Sequence, residues 1–291
     1  MHTNLIILAG GASSRMKKEP LEKLKDLTEE EILQANKRSK GLIGVGPNGR
    51  PLMDYLLYNA KMAGYTNITV VIGEQGDLFK EFYGSRDKDN NFHGLNISFA
   101  VQYIPEGREK PFGTADALLQ AVNFYPELNS GSYTVCNSDN LYSVRALLAL
   151  RETTSPNAFI AYDRSAMDFP EERISRFAIA ALDKTGQLMD ILEKPTPDQV
   201  ERFRDSEGKV RVSMNAFKFN GPMFHPFLEA CPVHPERNEK ELPTALLNMV
   251  GRHPGTTLGI PLSEHVPDLT AKEDISEVKI FLKKHYPSLE W

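Results

Sequence analysis

With 291 residues, 41% of them hydrophobic, the chain can bury a full core as one large domain or two small ones. Its net charge of −5 argues against a bulk nucleic-acid or anionic-membrane binder and confines any phosphate site to a local patch. Two cysteines, Cys136 and Cys231, give neither a disulfide framework nor zinc spacing, and the apolar run Leu5 to Ala9 is too short for a membrane span or a signal peptide, so a cytoplasmic protein is expected.

Strands and helices alternate through the first half. Asn4 to Ala9 reads as a central strand, apolar on both faces as a parallel sheet requires. Pro47-Asn48-Gly49 is a turn, and Leu52, Met53, Leu56, Leu57 and Ala60 then form a helical stripe that stops at Gly64. Asn67 to Ile72 and Asn96 to Tyr103 are further strands, Thr114 to Phe124 is a helix, and Tyr133 to Cys136 is a short strand running into Asn137-Ser138-Asp139-Asn140. This order predicts an α/β fold with a doubly wound, mostly parallel sheet and a ligand at the carboxyl ends of its strands. The glycines after the first strand and the Asn137–Asn140 turn both fall at such ends.

The second half is richer in strands. Ala158 to Tyr162, Arg176 to Leu182, Leu188 to Leu192 and Arg211 to Phe219 read as extended, with Asp183 to Gly186 as a hairpin turn. A helix near Glu241 to Val250, a strand near Thr256 to Pro261 and a helix near Lys272 to Lys284 follow. A charged insertion occupies 16–39; Leu21, Leu24, Leu27 and Leu33 mark a weak apolar stripe, and Thr28 with Glu31 fits a capping box. It reads either as a lid over the glycine loop or as a solvated surface helix.

The loop itself is LAGGASSRM, Leu8 to Met16. Two glycines let backbone N–H groups approach a polyphosphate that a β-carbon would push away, and Arg15 adds a fixed charge with a forked donor geometry. The spacing is neither GxGxxG nor GxxxxGK[ST], so neither a dinucleotide fingerprint nor a P-loop is indicated. The same glycines would also serve a plain strand-to-helix turn.

LAGGASSRM resembles the signature loop of the sugar-1-phosphate nucleotidylyltransferases, and five further features follow in that family's order. Lys40 resembles the lysine after the loop, with Ser39 where proline is usual; Gly113 to Leu118 (GTADAL) and Asn137 to Asn140 resemble its helix start and metal-binding turn. Glu193-Lys194-Pro195 matches its EKP motif, and Asp268 stands where a second metal-binding aspartate is often found, although Leu269-Thr270 replaces the following glycine. The resemblance implies a Rossmann-like nucleotidyltransferase fold, one domain over 1–291, with about 150–291 forming a strand-rich, sugar-binding acceptor part.

It also implies roles. Leu8, Ala9, Gly10, Gly11, Gln102, Gly113 and Thr114 would bind the nucleotide, with Gly107 an alternative to Gly113 at the base. Arg15, Lys40, Asp139 and Lys194 would be catalytic, and Asp139 with Asp268, or Asp139 alone, would hold Mg²⁺. Glu193, Lys194, Ala178 (where the family frequently has glycine) and either Ser213 or Asn215 would meet the sugar. The expected reaction transfers NMP from an NTP, UTP or dTTP with a hexose 1-phosphate being favoured, and releases pyrophosphate. The alternatives are a non-sugar acceptor and a non-catalytic regulatory protein that binds nucleotide sugars. The expected partners are small molecules, without nucleic acid or membrane, and a homo-oligomer is allowed.

Overall fold

In the computed structural model, which describes residues 1–18, 26–175, 177–192 and 195–291, the chain begins with β1 (Asn4–Leu8) and α1 (Glu29–Lys37). There follow α2 (Leu52–Met62), β2 (Asn67–Gly73), α3 (Asp77–Tyr83), β3 (Asn90–Phe92), β4 (Leu95–Gln102), α4 (Thr114–Phe124), β5 (Ser132–Asn137) and α5 (Val144–Glu152). The second half comprises β6 (Asn157–Asp163), α6 (Glu171–Ile174), β7 (Ile179–Leu182), β8 (Leu188–Leu192), α7 (Pro197–Arg202) and β9 (Arg211–Asn220). It closes with α8 (Gly221–Glu229), α9 (Leu242–Arg252), β10 (Thr257–Leu262) and α10 (Asp274–His285).

Strand β1 lies between two parallel neighbours, β2 and β5, and β4 extends the parallel set beyond β2. A strand in that position has no solvent face, which is why LIIL carries no alternation. Its side chains still point alternately. Leu5 and Ile7 join one hydrophobic cluster with α2, α5 and α10, while Ile6 and Leu8 join the other with α4, α8 and α9. Each such side chain contributes roughly 1.5–3 kcal/mol when fully buried, so β1 anchors both layers.

The sheet order is β10-β6-β9-β5-β1-β2-β4-β3, with β7 and β8 attached beside β9. The expectation of a mostly parallel sheet holds for β4-β2-β1-β5 and for the β10-β6 pair, with antiparallel strands between and beside them. Strand β9 runs antiparallel to both β5 and β6, so the whole sheet is mixed. The reason lies in the connection: β9 enters from the β7–β8 hairpin side and continues directly into α8 rather than returning through a crossover helix.

The capping box at the start of α1 is present, with the Glu31 amide donating to Thr28 Oγ1 at 3.2 Å and the Thr28 amide donating to Glu31 Oε2 at 2.8 Å. The apolar stripe expected around it is corrected in part. Leu33 is half exposed, and the buried residues of α1 are Gln34 and Ala35, whose small and amide side chains let the helix dock closely. Leu27 packs against the core, Leu21 and Leu24 lie outside the described residues, and so does Arg176 of the strand expected from that residue to Leu182. Among the described residues no helix is long and apolar enough to cross a membrane.

Candidate active site

The carboxyl ends of β1, β2, β4 and β5 gather the site. The Ala9 amide donates to Val71 O at 2.8 Å and the Ser138 amide donates to Leu8 O at 3.1 Å, so the glycine loop and the Asn137–Asn140 turn leave the sheet side by side. The two glycines do different work. A β-carbon on Gly10 would lie 3.1 Å from Gln102 Oε1 and 3.2 Å from the Gly73 nitrogen, so Gly10 permits close packing on the neighbouring strand ends. A β-carbon on Gly11 would meet nothing within 4 Å, so the space beside it is open. Gly11→Ala is therefore expected to change stability by no more than about 0.5 kcal/mol, as a melting curve would show.

Lys40 opens a 3-10 turn, Lys40–Leu42, whose Gly41 presses against the Asn137–Asn140 turn: a β-carbon there would lie 3.1 Å from both Ser138 Cβ and Ser138 O. This contact delivers Lys40 Nζ to Asp139 Oδ2 at 2.9 Å, an ion pair that joins residues 99 apart in sequence. The opposite flank of the turn is held by the 267–269 segment. The Leu269 amide donates to Asp139 O at 2.8 Å and the Leu141 amide donates to Pro267 O at 2.9 Å, which places Asp268 beside Asn140 in an antiparallel bridge.

Asp268 Oδ2 accepts from Arg173 Nη2 at 2.6 Å and from Thr270 Oγ1 at 2.8 Å. Burial raises the Asp268 carboxyl above the usual carboxylate range, and the charge of nearby Asp139 adds to the rise; the Arg173 guanidinium and the Thr270 hydroxyl oppose it. Among the described residues no group of three or more His, Cys, Asp or Glu side chains is arranged to hold a metal. The two carboxylates nevertheless suit a hard divalent ion that takes one or two protein oxygens and completes its shell with phosphate and water. Each gives its Oδ2 to a cationic side chain, and neither Oδ1 accepts a hydrogen bond from a described residue.

At the far end of the loop, Gln102 is only 2% exposed, and its Nε2 donates to Gly113 O at 3.1 Å and to Asp116 Oδ2 at 2.9 Å. Gly113 has φ +104°, and a β-carbon on it would lie 2.2 Å from Lys240 O. That backbone contact belongs to a stitched pair of segments. The Lys240 amide donates to Phe112 O at 2.7 Å, the Ala115 amide donates to Lys240 O at 3.0 Å, and the Leu242 amide donates to Thr114 Oγ1 at 3.0 Å. Gly113 and Thr114 thus carry structural duties while also lining the cavity; Gly107 is exposed and does not line it.

Two cavities adjoin here. One, about 300 Å³, is lined by Leu8, Gly11, Lys40, Gln102, Gly113 and Asp139, with Ala9, Gly10 and Thr114 also in its wall. The other, about 710 Å³, is lined by Arg15, Asp139, Ala178, Ser213, Asn215 and Asp268. Asn137 and Asp139 belong to both. Arg15 is exposed and sits on the larger cavity rather than on the glycine-loop side. Asn215 reaches the cavity because β9 bulges. Ala161 pairs with Ser213 and Phe159 with Phe217, so Ile160 faces three residues, and Asn215 takes φ +57°. Glu193 and Lys194 lie outside the described residues.

Sequence reasoning did not single out Lys110 and Glu239 on the smaller cavity or Arg173 and Arg237 on the larger. The ten residues between Gln102 and Gly113 were the one signal for Lys110; nothing local marks Arg173, which acts across 95 residues. Helix α1 is docked through Glu31, whose Oε1 accepts from Lys279 Nζ at 2.5 Å, and through Gln34, whose Oε1 accepts from the Gly44 amide at 2.8 Å. Any lid motion of the whole helix would have to break both. Cys136 is fully buried beneath the turn, and burial pushes its thiol pKa up, which suits a core residue rather than a nucleophile.

A strand-end glycine loop, a lysine–aspartate pair and two cavities sharing that aspartate meet at the carboxyl ends of the strands of this α/β protein. The family model for nucleotidyl transferases matches residues 4–254, and the chain belongs to that family. Among curated proteins it is similar to the glucose-1-phosphate adenylyltransferase small subunit, chloroplastic/amyloplastic, of Triticum aestivum. The two are 27% identical over 203 residues, covering 67% of this chain and 38% of that protein. The chain thus spans well under half the length of this relative. Among solved structures it is similar to a UDP-glucose pyrophosphorylase complexed with UDP-glucose, with a TM-score of 0.68 and 14% identity over 98% of this chain and 99% of the other, which establishes a shared fold.

Proposed function

We propose that the protein transfers NMP from an NTP to a sugar 1-phosphate, releasing pyrophosphate. The observation that carries this reading is Asp139, a carboxylate common to two adjoining cavities, one under a glycine loop and one under a bulged strand. A reaction that joins two phosphorylated substrates needs such a meeting point. In this reading the smaller cavity takes the nucleotide and the larger takes the acceptor. Gln102 acts on the base indirectly, by fixing Gly113 through its amide donor. Both relatives' names refer to glucose, which supports a hexose acceptor, while one is an adenylyltransferase and the other a UDP-glucose enzyme.

The chemistry asks little of a general base, because the acceptor phosphate is already ionised. Catalysis is then positioning and charge neutralisation. Lys40 neutralises one phosphate while Asp139 holds the lysine in place at 2.9 Å. Arg15, exposed on the wall of the larger cavity, meets the phosphate of the acceptor as it approaches Asp139. Asp139 and Asp268 would hold a divalent cation, which when bound would screen the approaching anions.

Pyrophosphate release measured with ATP, CTP, GTP, UTP and dTTP, each with glucose 1-phosphate and then other sugar 1-phosphates, tests the reading. Release that requires both substrates supports it; nucleotide binding with no release under any pair would turn the protein into a regulatory binder. Arg15→Ala is expected to lower kcat about a hundredfold with an unchanged melting temperature, since the side chain is exposed and supports no packing.

A further inference from the structure

The guanidinium of Arg173 stands between two carboxylates. Its Nη2 donates to Asp268 Oδ2 at 2.6 Å and its Nη1 donates to Asp274 Oδ1 at 2.5 Å. The side chains of Asp268 and Asp274 are 13% and 9% exposed, and that of Arg173 is 23% exposed. Asp274 is itself fixed, since its Oδ2 accepts from the amides of Thr270 and Ala271, each at 2.7 Å. The guanidinium carbon also lies 4.3 Å from the centre of the Phe169 ring. One planar fork therefore ties α6, which walls the larger cavity, to the 268–271 segment and to the first turn of α10.

We propose that Arg173 is a positioning residue for the carboxylate pair: by holding Asp268 through Oδ2, it keeps Oδ1 turned over to a divalent cation shared with Asp139. The proposal rests on the metal reading given above. Two donors, Arg173 Nη2 and Thr270 Oγ1, converge on the same oxygen, and Oδ1 receives none from any described residue. Lys40 treats Asp139 in the same way, occupying Oδ2 alone. Partners that orient a metal-binding carboxylate typically change metal affinity 10–100-fold when removed. Only arginine can do this here, because bridging two carboxylates set apart on different segments requires a rigid fork, which a lysine ammonium does not offer.

Positioning and simple electrostatics make opposite forecasts. Loss of a cation near the site, taken alone, strengthens the binding of another cation. Loss of a positioning group weakens it. Mn²⁺ binding to the full chain, read from the free-ion electron paramagnetic resonance signal, separates the two. Arg173→Lys keeps the charge and most of the stem, and is expected to weaken Mn²⁺ binding about tenfold; Arg173→Met is expected to weaken it at least as much, although it removes a positive charge. Thr270→Val, which removes only the second donor to the same oxygen and keeps the side-chain shape, is expected to weaken it about threefold. Mn²⁺ binding that is unchanged or tighter in the two Arg173 variants, with wild-type near-ultraviolet circular dichroism, overturns the proposal alone. Wild-type chain that binds Mn²⁺ no better than Asp139→Asn and Asp268→Asn removes the metal reading itself, and this proposal with it.

Discussion

Asp139→Asn is expected to lower kcat about a thousandfold, close to 4 kcal/mol of transition-state stabilisation, with the fold intact. Asparagine has nearly the same shape, and the backbone bond from the Leu269 amide to the carbonyl of residue 139 does not depend on the side chain. What disappears is the negative charge that both cavities share and that anchors Lys40 Nζ at 2.9 Å. Freed of its partner, Lys40 still attracts phosphate, so KM for the NTP is expected to stay within about threefold while kcat falls. Steady-state pyrophosphate release beside a thermal melt checks both halves. A variant that keeps kcat within fivefold would show that Asp139 only positions Lys40.

The second large effect concerns folding. Gly113→Ala is expected to cost about 3 kcal/mol, which for a chain of this size lowers Tm by roughly 6–12 °C. Two costs combine. At φ +104° an L-residue is strained wherever it stands, and the added carbon would sit 2.2 Å from Lys240 O, where backbone must give way. Lys240 cannot retreat freely, since its amide bonds Phe112 O and its carbonyl accepts from the Ala115 amide. Gly11→Ala is the internal comparison: the same substitution in the same kind of motif, but into open space. A Gly113→Ala chain melting within 2 °C of the wild type would mean that the 234–241 segment moves away without penalty.

These contrasts show what the sequence could and could not convey. The strand Asn4–Leu8 and the two turns flanking it were legible because a run of buried residues ending in small or polar ones has few physical meanings. The capping box at Thr28 and the helix Thr114–Phe124 were legible for similar local reasons. Helix α5 carries comparable signals, a Ser143 cap whose Oγ accepts from the Ala146 amide and inward Ala146, Leu147 and Leu150, and is an element that the sequence pattern supports but the expected order omits. Helix α8 hides behind two prolines in GPMFHPFLE, one at its start and one at Pro226.

Other features were not local at all. The antiparallel insertion of β9 depends on which strands it meets, and its residues read the same in either direction. Asp268 stood out by its place before a helix, but the reason it faces Asp139 is the Leu269 amide and a fully buried Leu269 side chain where glycine was expected. Arg173 has meaning only through two carboxylates about a hundred residues away, at 268 and 274. Gln102 lines the smaller cavity, and the pairing of its amide donor with Gly113 and Asp116 links a strand end to a helix start 11 and 14 residues on, which the strand pattern alone does not show.

A crystal structure of the protein with Mn²⁺ and the NTP that supports turnover bears most directly on the shared-carboxylate arrangement. The expected result has the base end against Gly113, the triphosphate along Gly10 to Ser14, and the α-phosphate at the Asp139 end of the smaller cavity. A neighbouring cavity of about 320 Å³ lies on the other flank of the same loop, between Lys17, Lys37 and the Gly73–Gly76 turn. Nucleotide bound there, with its phosphates away from Asp139, would contradict the arrangement.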